Sequence, residues 1–135
     1  MRKVLPIIIL FVLSGIIYAS LSFQFFTAKS TGDAILIEWK TLDEGGTQHF
    51  ELERSANTPD NFVNIKSVNA TGNNSYYSVI DNGINVKNNS SSSIYYYRLK
   101  CVLSGGSYSY TNIISVTHSV SGIKSTWGSI KAIFR

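Results

Sequence analysis

The sequence holds one cysteine, Cys101, so no disulfide can form within the chain. Any folded state must rest on its core. Charge is also scarce: Asp, Glu, Lys and Arg make up 15% of residues, against about 25% in an average soluble protein. Removing Arg2 and Lys3 from the twelve basic residues leaves ten against eight acidic ones, a net charge of +2. That is too small an excess, with no basic patch interleaved with aromatics outside the C-terminal end, to point to nucleic acid. There are two histidines, His49 and His118. Nothing marks a base and oxyanion hole for Ser-His-Asp catalysis. A Gly-rich phosphate loop with a following lysine is missing, and so is a calcium loop of the DxDxDG type. No helical period of useful length appears, which excludes parallel α/β folds with their crossover helices.

What is present is aromatic and small-polar: eight Tyr and seven Phe, with Ser, Asn, Thr and Gly supplying the polarity, a mixture suited to strands and turns. The N-terminus reads as an export signal. Arg2 and Lys3 form a positive end, Val4 to Ile17 is almost wholly apolar, and Ala19, Ser20 and Ser22 follow as small residues. Two cleavage points fit, after Ala19 and after Ser22. An uncleaved anchor over residues 4–26 is the competing reading, since a span takes about 20 apolar residues. The expected organisation is a signal peptide over 1–21, one domain over 22–117 and a tail over 118–135. A domain of about a hundred residues buries well over half of its unfolded surface, enough for a core without disulfides.

Alternating apolar and polar residues separated by turn signals predict seven strands: Ser22 to Lys29, Ala34 to Lys40, Gln48 to Arg54, Phe62 to Val68, Tyr76 to Ile80, Ile94 to Leu103 and Ser107 to Thr117. The two-residue period puts Ile35, Ile37 and Trp39 on one face, Phe50 and Leu52 on one face, and Tyr97, Leu99 and Cys101 on another. These residues, with Ile65, Tyr77, Val79 and Ile114, are the candidate core. Burial of each large apolar side chain contributes about 1.5–3 kcal/mol before entropy. Seven short strands without a helix predict an all-β, immunoglobulin-like two-sheet sandwich.

The runs IEWKT, HFELERS and YYYRLKCVLSGGSYSYTNIISV, between about Phe26 and Thr117, together resemble a fibronectin type III-like domain of secreted proteins from Bacteroidota-type bacteria. In that family a strand with Trp precedes an FEIERS-like strand, then YYRLKQVD-like and YSYSNIISV-like strands. The resemblance implies a sandwich that serves as a spacer, adhesion or binding module in exported proteins, without catalysis. It implies that Trp39 is the core tryptophan of the second strand, and that Tyr95 or Tyr97 fills the tyrosine-corner role. Such domains often precede a C-terminal sorting domain, and the 18 residues after Thr117 are too few for one.

Those last residues are the least generic part. Ser125 or Thr126 can cap a short helix, on which Trp127, Ile130 and Phe134 share a face and Lys131 and Arg135 lie near the C-terminal end. Three readings stand: Trp127 and Phe134 pack on the sandwich, the tail docks on a partner, or it lies on a membrane surface. Trp127, Ile130, Lys131, Phe134 and Arg135 are the candidate partner-binding residues. The apolar LSFQFF at Leu21 to Phe26 can also add as a strand to a neighbour's open edge. His49, Glu51 and Glu53 form a stripe along one strand face, read as a solvated polar face and not a zinc site, since no second cluster completes it. Exposed tyrosines such as Tyr96, Tyr108 and Tyr110 can offer a face to sugar or protein.

The expected function is a non-catalytic binding or structural module at the bacterial cell surface, with no cofactor, metal or small-molecule substrate. The alternatives are a self-assembling subunit and, more weakly, a carbohydrate-binding protein. The partner is a protein or surface component, a second copy included, and not nucleic acid. Contact with membrane follows only if the N-terminal segment is retained.

Overall fold

A computed structural model describes residues 20–84 and 92–119. The proposed signal and the tail residues Trp127, Ile130, Lys131, Phe134 and Arg135 lie outside these described residues. Eight strands follow one another: β1 (Ser22–Thr31), β2 (Ala34–Asp43), β3 (Thr47–Ala56), β4 (Val63–Asn69), β5 (Tyr76–Asp81), β6 (Ser92–Leu103), β7 (Tyr108–Tyr110) and β8 (Ile114–Ser119). There is no helix among the described residues, and so none long and apolar enough to cross a membrane. The strands form two antiparallel sheets. One has the order β1-β2-β5; the other has the order β4-β3-β6-β7, with β8 also paired to β6.

The two inner faces meet in one aromatic-aliphatic core. Ile35, Ile37 and Trp39 of β2, Phe50 and Leu52 of β3, and Tyr97 and Leu99 of β6 are fully buried. Tyr77, Tyr95, Ile84 and Cys101 join them, while Ile65, Val79 and Ile114 are only partly buried at the margin. Trp39 stacks on Tyr77 at 5.0 Å between centroids, and Phe50 meets both rings edge-on at 5.8 and 5.2 Å. Such pairs contribute about 0.5–1.5 kcal/mol each beyond burial. Burial also pushes the Cys101 thiol up to about 12, because the thiolate would lose its hydration.

The expected seventh strand is two strands, β7 and β8. Lys100 pairs with Tyr110, and Tyr97 pairs with Ile114, so β6 advances three residues where its partner advances four. The extra residue is a bulge in the segment between β7 and β8. There the Leu99 N–H donates to Thr111 Oγ1 at 2.9 Å, and the Thr111 N–H donates to the Leu99 carbonyl at 3.0 Å. One inserted residue inverts the alternation that follows it. Tyr108 and Tyr110 therefore share a face with Lys100, while Ile114, Val116 and His118 turn to the core side with Tyr97 and Tyr95.

Two ends of the sandwich are tied by buried carboxylates. Between β2 and β3 the chain turns through Gly45 and Gly46, both at positive φ, and the Thr47 N–H donates to the Glu44 carbonyl at 2.9 Å. Glycine, with no Cβ, adopts two such residues in succession at little steric cost. The turn directs Glu44 inward, where it accepts from Thr41 Oγ1 at 3.1 Å, from the Gly72 N–H at 3.0 Å and from the Tyr77 hydroxyl. This locks the β2–β3 turn to the β4–β5 turn. At the opposite end Asp81 does the same for the start of the β5–β6 connection. On the side of the sandwich, His118 Nδ1 lies 2.7 Å from Ser30 Oγ, joining β8 to β1.

Candidate functional site

Beside the Glu44 cluster, two further places among the described residues bring polar, charged and aromatic side chains together. The first is inside the sandwich margin. Arg54 stands in phase with Phe50 and Leu52 on the inner side of β3, and it is a cation at the end of an apolar row. Its Nη1 lies 2.8 Å from both Asp81 oxygens. The Tyr97 hydroxyl donates to Asp81 Oδ2 at 2.8 Å, and the Gly83 N–H donates to Oδ1 at 3.0 Å. A Cβ on Gly83 would stand 3.2 Å from Arg54 Nη1, so glycine permits the close approach. Burial, then the bond to Asp81, pushes the Tyr97 phenol well above its ordinary value. Burial raises Tyr95 as well. Ile65, Lys66, Val79 and Ile80 line the open groove beside Arg54. Asp81 satisfies this cation and both neighbouring donors, so the cluster explains how an arginine is tolerated against the core.

The second place is the outer face of the larger sheet. The two-residue period brings Glu51 and Glu53 of β3, Arg98 and Lys100 of β6, and Tyr108 and Tyr110 of β7 onto it, with Phe62 just before β4. Arg98 Nε donates to Glu53 Oε1 at 2.7 Å, and its guanidinium carbon lies over two rings, 4.2 Å from the centroid of Phe62 and 4.0 Å from that of Tyr110. Lys100 Nζ sits 4.2 Å over Tyr108 and 3.6 Å from Glu51 Oε2. His49 Nε2 is 3.6 Å from the other Glu51 oxygen. Tyr108 and Tyr110 meet at 5.4 Å with their planes 72° apart.

The stripe of His49, Glu51 and Glu53 is thus not a simple solvated face. Glu53 is 8% exposed, covered by Arg98. Among the described residues no three His, Cys, Asp or Glu side chains gather as a metal site. Tyr96 lies on this same outer side, between Ser55 and Ser115. Leu21 to Phe26, expected as a strand available to a neighbour, is engaged in its own chain: β1 pairs with β2 from Ser22 to Thr31. β1 stands at the end of the β1-β2-β5 sheet, so among the described strands only one of its two edges is paired. The sequence pattern alone does not single out Glu44 or Asp81 from the other acids of the chain. The signal was faint, since only a turn that directs each carboxylate inward marks it as structural. Phe62, expected to open the fourth strand, lies just before β4, with its ring under Arg98.

The fold and these sites define an all-β two-sheet sandwich with an aromatic, zwitterionic outer face. Searches find no family model that matches the chain and no curated protein that matches it. Among solved structures, pectate lyase PelI from Erwinia chrysanthemi in complex with tetragalacturonic acid aligns over 73% of this chain, with 18% identity and a TM-score of 0.53. OgpA from Akkermansia muciniphila aligns over 75%, with 13% identity and a TM-score of 0.51. This chain spans 28% and 27% of the length of those two proteins. At such identity the likeness is one of fold.

Proposed function

We propose that this chain is a non-catalytic recognition module of the fibronectin type III kind, exported to the bacterial cell surface, that holds its partner on the outer face of the larger sheet. The observation that carries the reading is that face itself: exposed tyrosines set among ion-paired cations, on strands whose buried polar groups are engaged internally. Tyr and Arg are the residue types that dominate interface energetics. Ion pairs and the sheet hold them in place before a partner arrives, which lowers the ordering cost of binding.

Three features support the fibronectin type III assignment. The sheet order β1-β2-β5 against β4-β3-β6 with β7 and β8 corresponds to seven strands with the last one interrupted. Trp39 is buried on the second strand. Tyr97 bonds into the β5–β6 corner, through the Asp81 carboxylate. Export rests on the positive, apolar and small-residue layout of residues 1–21.

The test is recovery of surface partners from cells with three proteins: the full chain, a Tyr108→Ala variant and a variant lacking Lys124 to Arg135. Loss of capture in Tyr108→Ala, with the deletion unaffected, places recognition on the sheet. Loss only in the deletion moves it to the tail. N-terminal sequencing of the mature protein checks export, and a chain still starting at Met1 in the membrane fraction refutes cleavage.

A second reading is self-assembly. It is favoured by β5, which ends its sheet and runs Tyr-Tyr-Ser-Val-Ile without a charge before Asp81. An uncharged edge strand is a template for pairing. Light scattering on the mature protein decides, and a monomer at high concentration refutes it.

A further inference from the structure

The outer face of the larger sheet is electrically closed. Arg98 is matched by Glu53 and Lys100 by Glu51, two cations against two carboxylates on one surface. A polyanion finds no positive excess there. A quaternary ammonium would be repelled by the cations already set over the rings, Arg98 on Tyr110 and Lys100 on Tyr108, whereas a neutral ligand is not. An apolar helix finds no continuous groove, because charged pairs interrupt the rings. What fits is an uncharged ligand with one apolar C–H face and a rim of hydroxyls, the description of a pyranose sugar. The ring faces turned away from the two cations take the C–H side. Glu51 and Lys100, both partly exposed, offer an acceptor and a donor side by side, which suits a pair of adjacent hydroxyls.

The geometry narrows this further. Tyr108 and Tyr110 are the exposed rings, at 55% and 44%, and their planes stand 72° apart. Two rings so set make a floor and a wall, not a flat strip. A flat strip would lie along a crystalline polysaccharide surface. A corner seats one sugar unit, or a turn of a soluble chain. We propose that Tyr108 and Tyr110, with the Lys100–Glu51 pair beside them, form a binding site for a sugar unit of a soluble neutral glycan. This rests on the reading of the same face as the recognition surface.

The experiment is an amide chemical-shift titration of the full chain with maltohexaose, cellohexaose, xylohexaose and mannohexaose, each compared with tetragalacturonate, together with a pull-down on insoluble cellulose. A single stacking corner predicts weak binding, on the order of 0.1–1 mM. The expected result is a saturable response to at least one neutral hexasaccharide, confined to β6 and β7. It weakens about tenfold or more in Tyr108→Ala, a loss matching one aromatic contact, and persists in Tyr76→Ala, an exposed tyrosine on the other sheet. No saturable response to any neutral hexasaccharide, tighter binding of tetragalacturonate, retention on cellulose without soluble binding, or indifference to Tyr108→Ala each overturns the proposal. If sugars fail while partner capture from cells still depends on Tyr108, the glycan is wrong and the recognition face stands. If neither depends on Tyr108, both fall.

Discussion

Replacing Asp81 by asparagine keeps the shape of the side chain and removes its charge. In the native chain the carboxylate lies 2.8 Å from Arg54 Nη1 through both oxygens, and it accepts from Tyr97 and Gly83. Its side chain is 4% exposed, and that of Arg54 is 23% exposed. Breaking a buried pair by removing one partner costs about 3–5 kcal/mol. The partial access of Arg54 to water places the expected cost at the lower end, about 3 kcal/mol. Tyr97→Phe removes one hydrogen bond to a charged acceptor, about 1.5–2 kcal/mol. The two changes share an oxygen, so the double variant should cost about 1 kcal/mol less than their sum. Urea unfolding followed by far-UV circular dichroism measures all three, and thermal midpoints should fall by about 4–8 °C for each kcal/mol. The reasoning is refuted if Asp81→Asn costs under about 1 kcal/mol, or if the two effects simply add. Either outcome would mean that Arg54 is stabilised by water and its aliphatic stem alone.

Glu44→Gln should cost about 1–3 kcal/mol, because an amide NH2 would face one of the three donors that the carboxylate now accepts; faster hydrogen exchange at the Gly72 amide would show the β4–β5 turn released. Thr111→Val should cost about 1–2 kcal/mol by leaving the Leu99 N–H without its acceptor, and Tyr110 and Ile114 amide shifts should report the disturbed bulge. Cys101 should resist alkylation in the folded protein at pH 8, with its thiol held up at about 12. The same group makes stability fall with alkali. Its folded-state pKa is raised above the ordinary 9.0, so its contribution is whole below about pH 9 and declines from there towards about 12, by at most about 1.4 kcal/mol per pH unit. Tyr97 and Tyr95, also raised, add to the decline above about pH 10. Denaturation midpoints at pH 8, 9.5 and 10.5 check the slope, and Cys101→Ala should flatten its first part.

Much of this fold is written locally. A two-residue period places Ile35, Ile37 and Trp39 on one side of a strand, and Phe50 with Leu52 on one side of another, whatever surrounds them. Turn residues such as Gly45 and Gly46 punctuate the strands for a conformational reason that belongs to glycine itself. These are short-range effects, so all-β character and most strand positions could be read from sequence. The seventh strand shows where local reading stops. Tyr108, Tyr110 and Ile114 are all even-numbered, and alternation alone puts them on one face. The bulge between β7 and β8 separates them. It arises because Thr111 satisfies Leu99 with a side-chain oxygen, an interaction with a residue 12 positions away.

The same division holds for the sites. Alternation placed His49, Glu51 and Glu53 on a common outer side. It could not say that Glu53 is buried under Arg98, since that depends on the pairing of β3 with β6 across 45 residues. Glu44 and Asp81 stand in sequence as two acids among several. Only the packed structure distinguishes them, because burial of a carboxylate is decided by the donors that converge on it, here from turns and strands remote in the chain. The sequence by itself determined which segments extend and which sides of them are apolar. The joining of strands into two sheets, the phase of β8 and the gathering of Tyr108 and Tyr110 with Arg98 and Lys100 on the outer face belong to the tertiary structure, because these depend on which strands become neighbours.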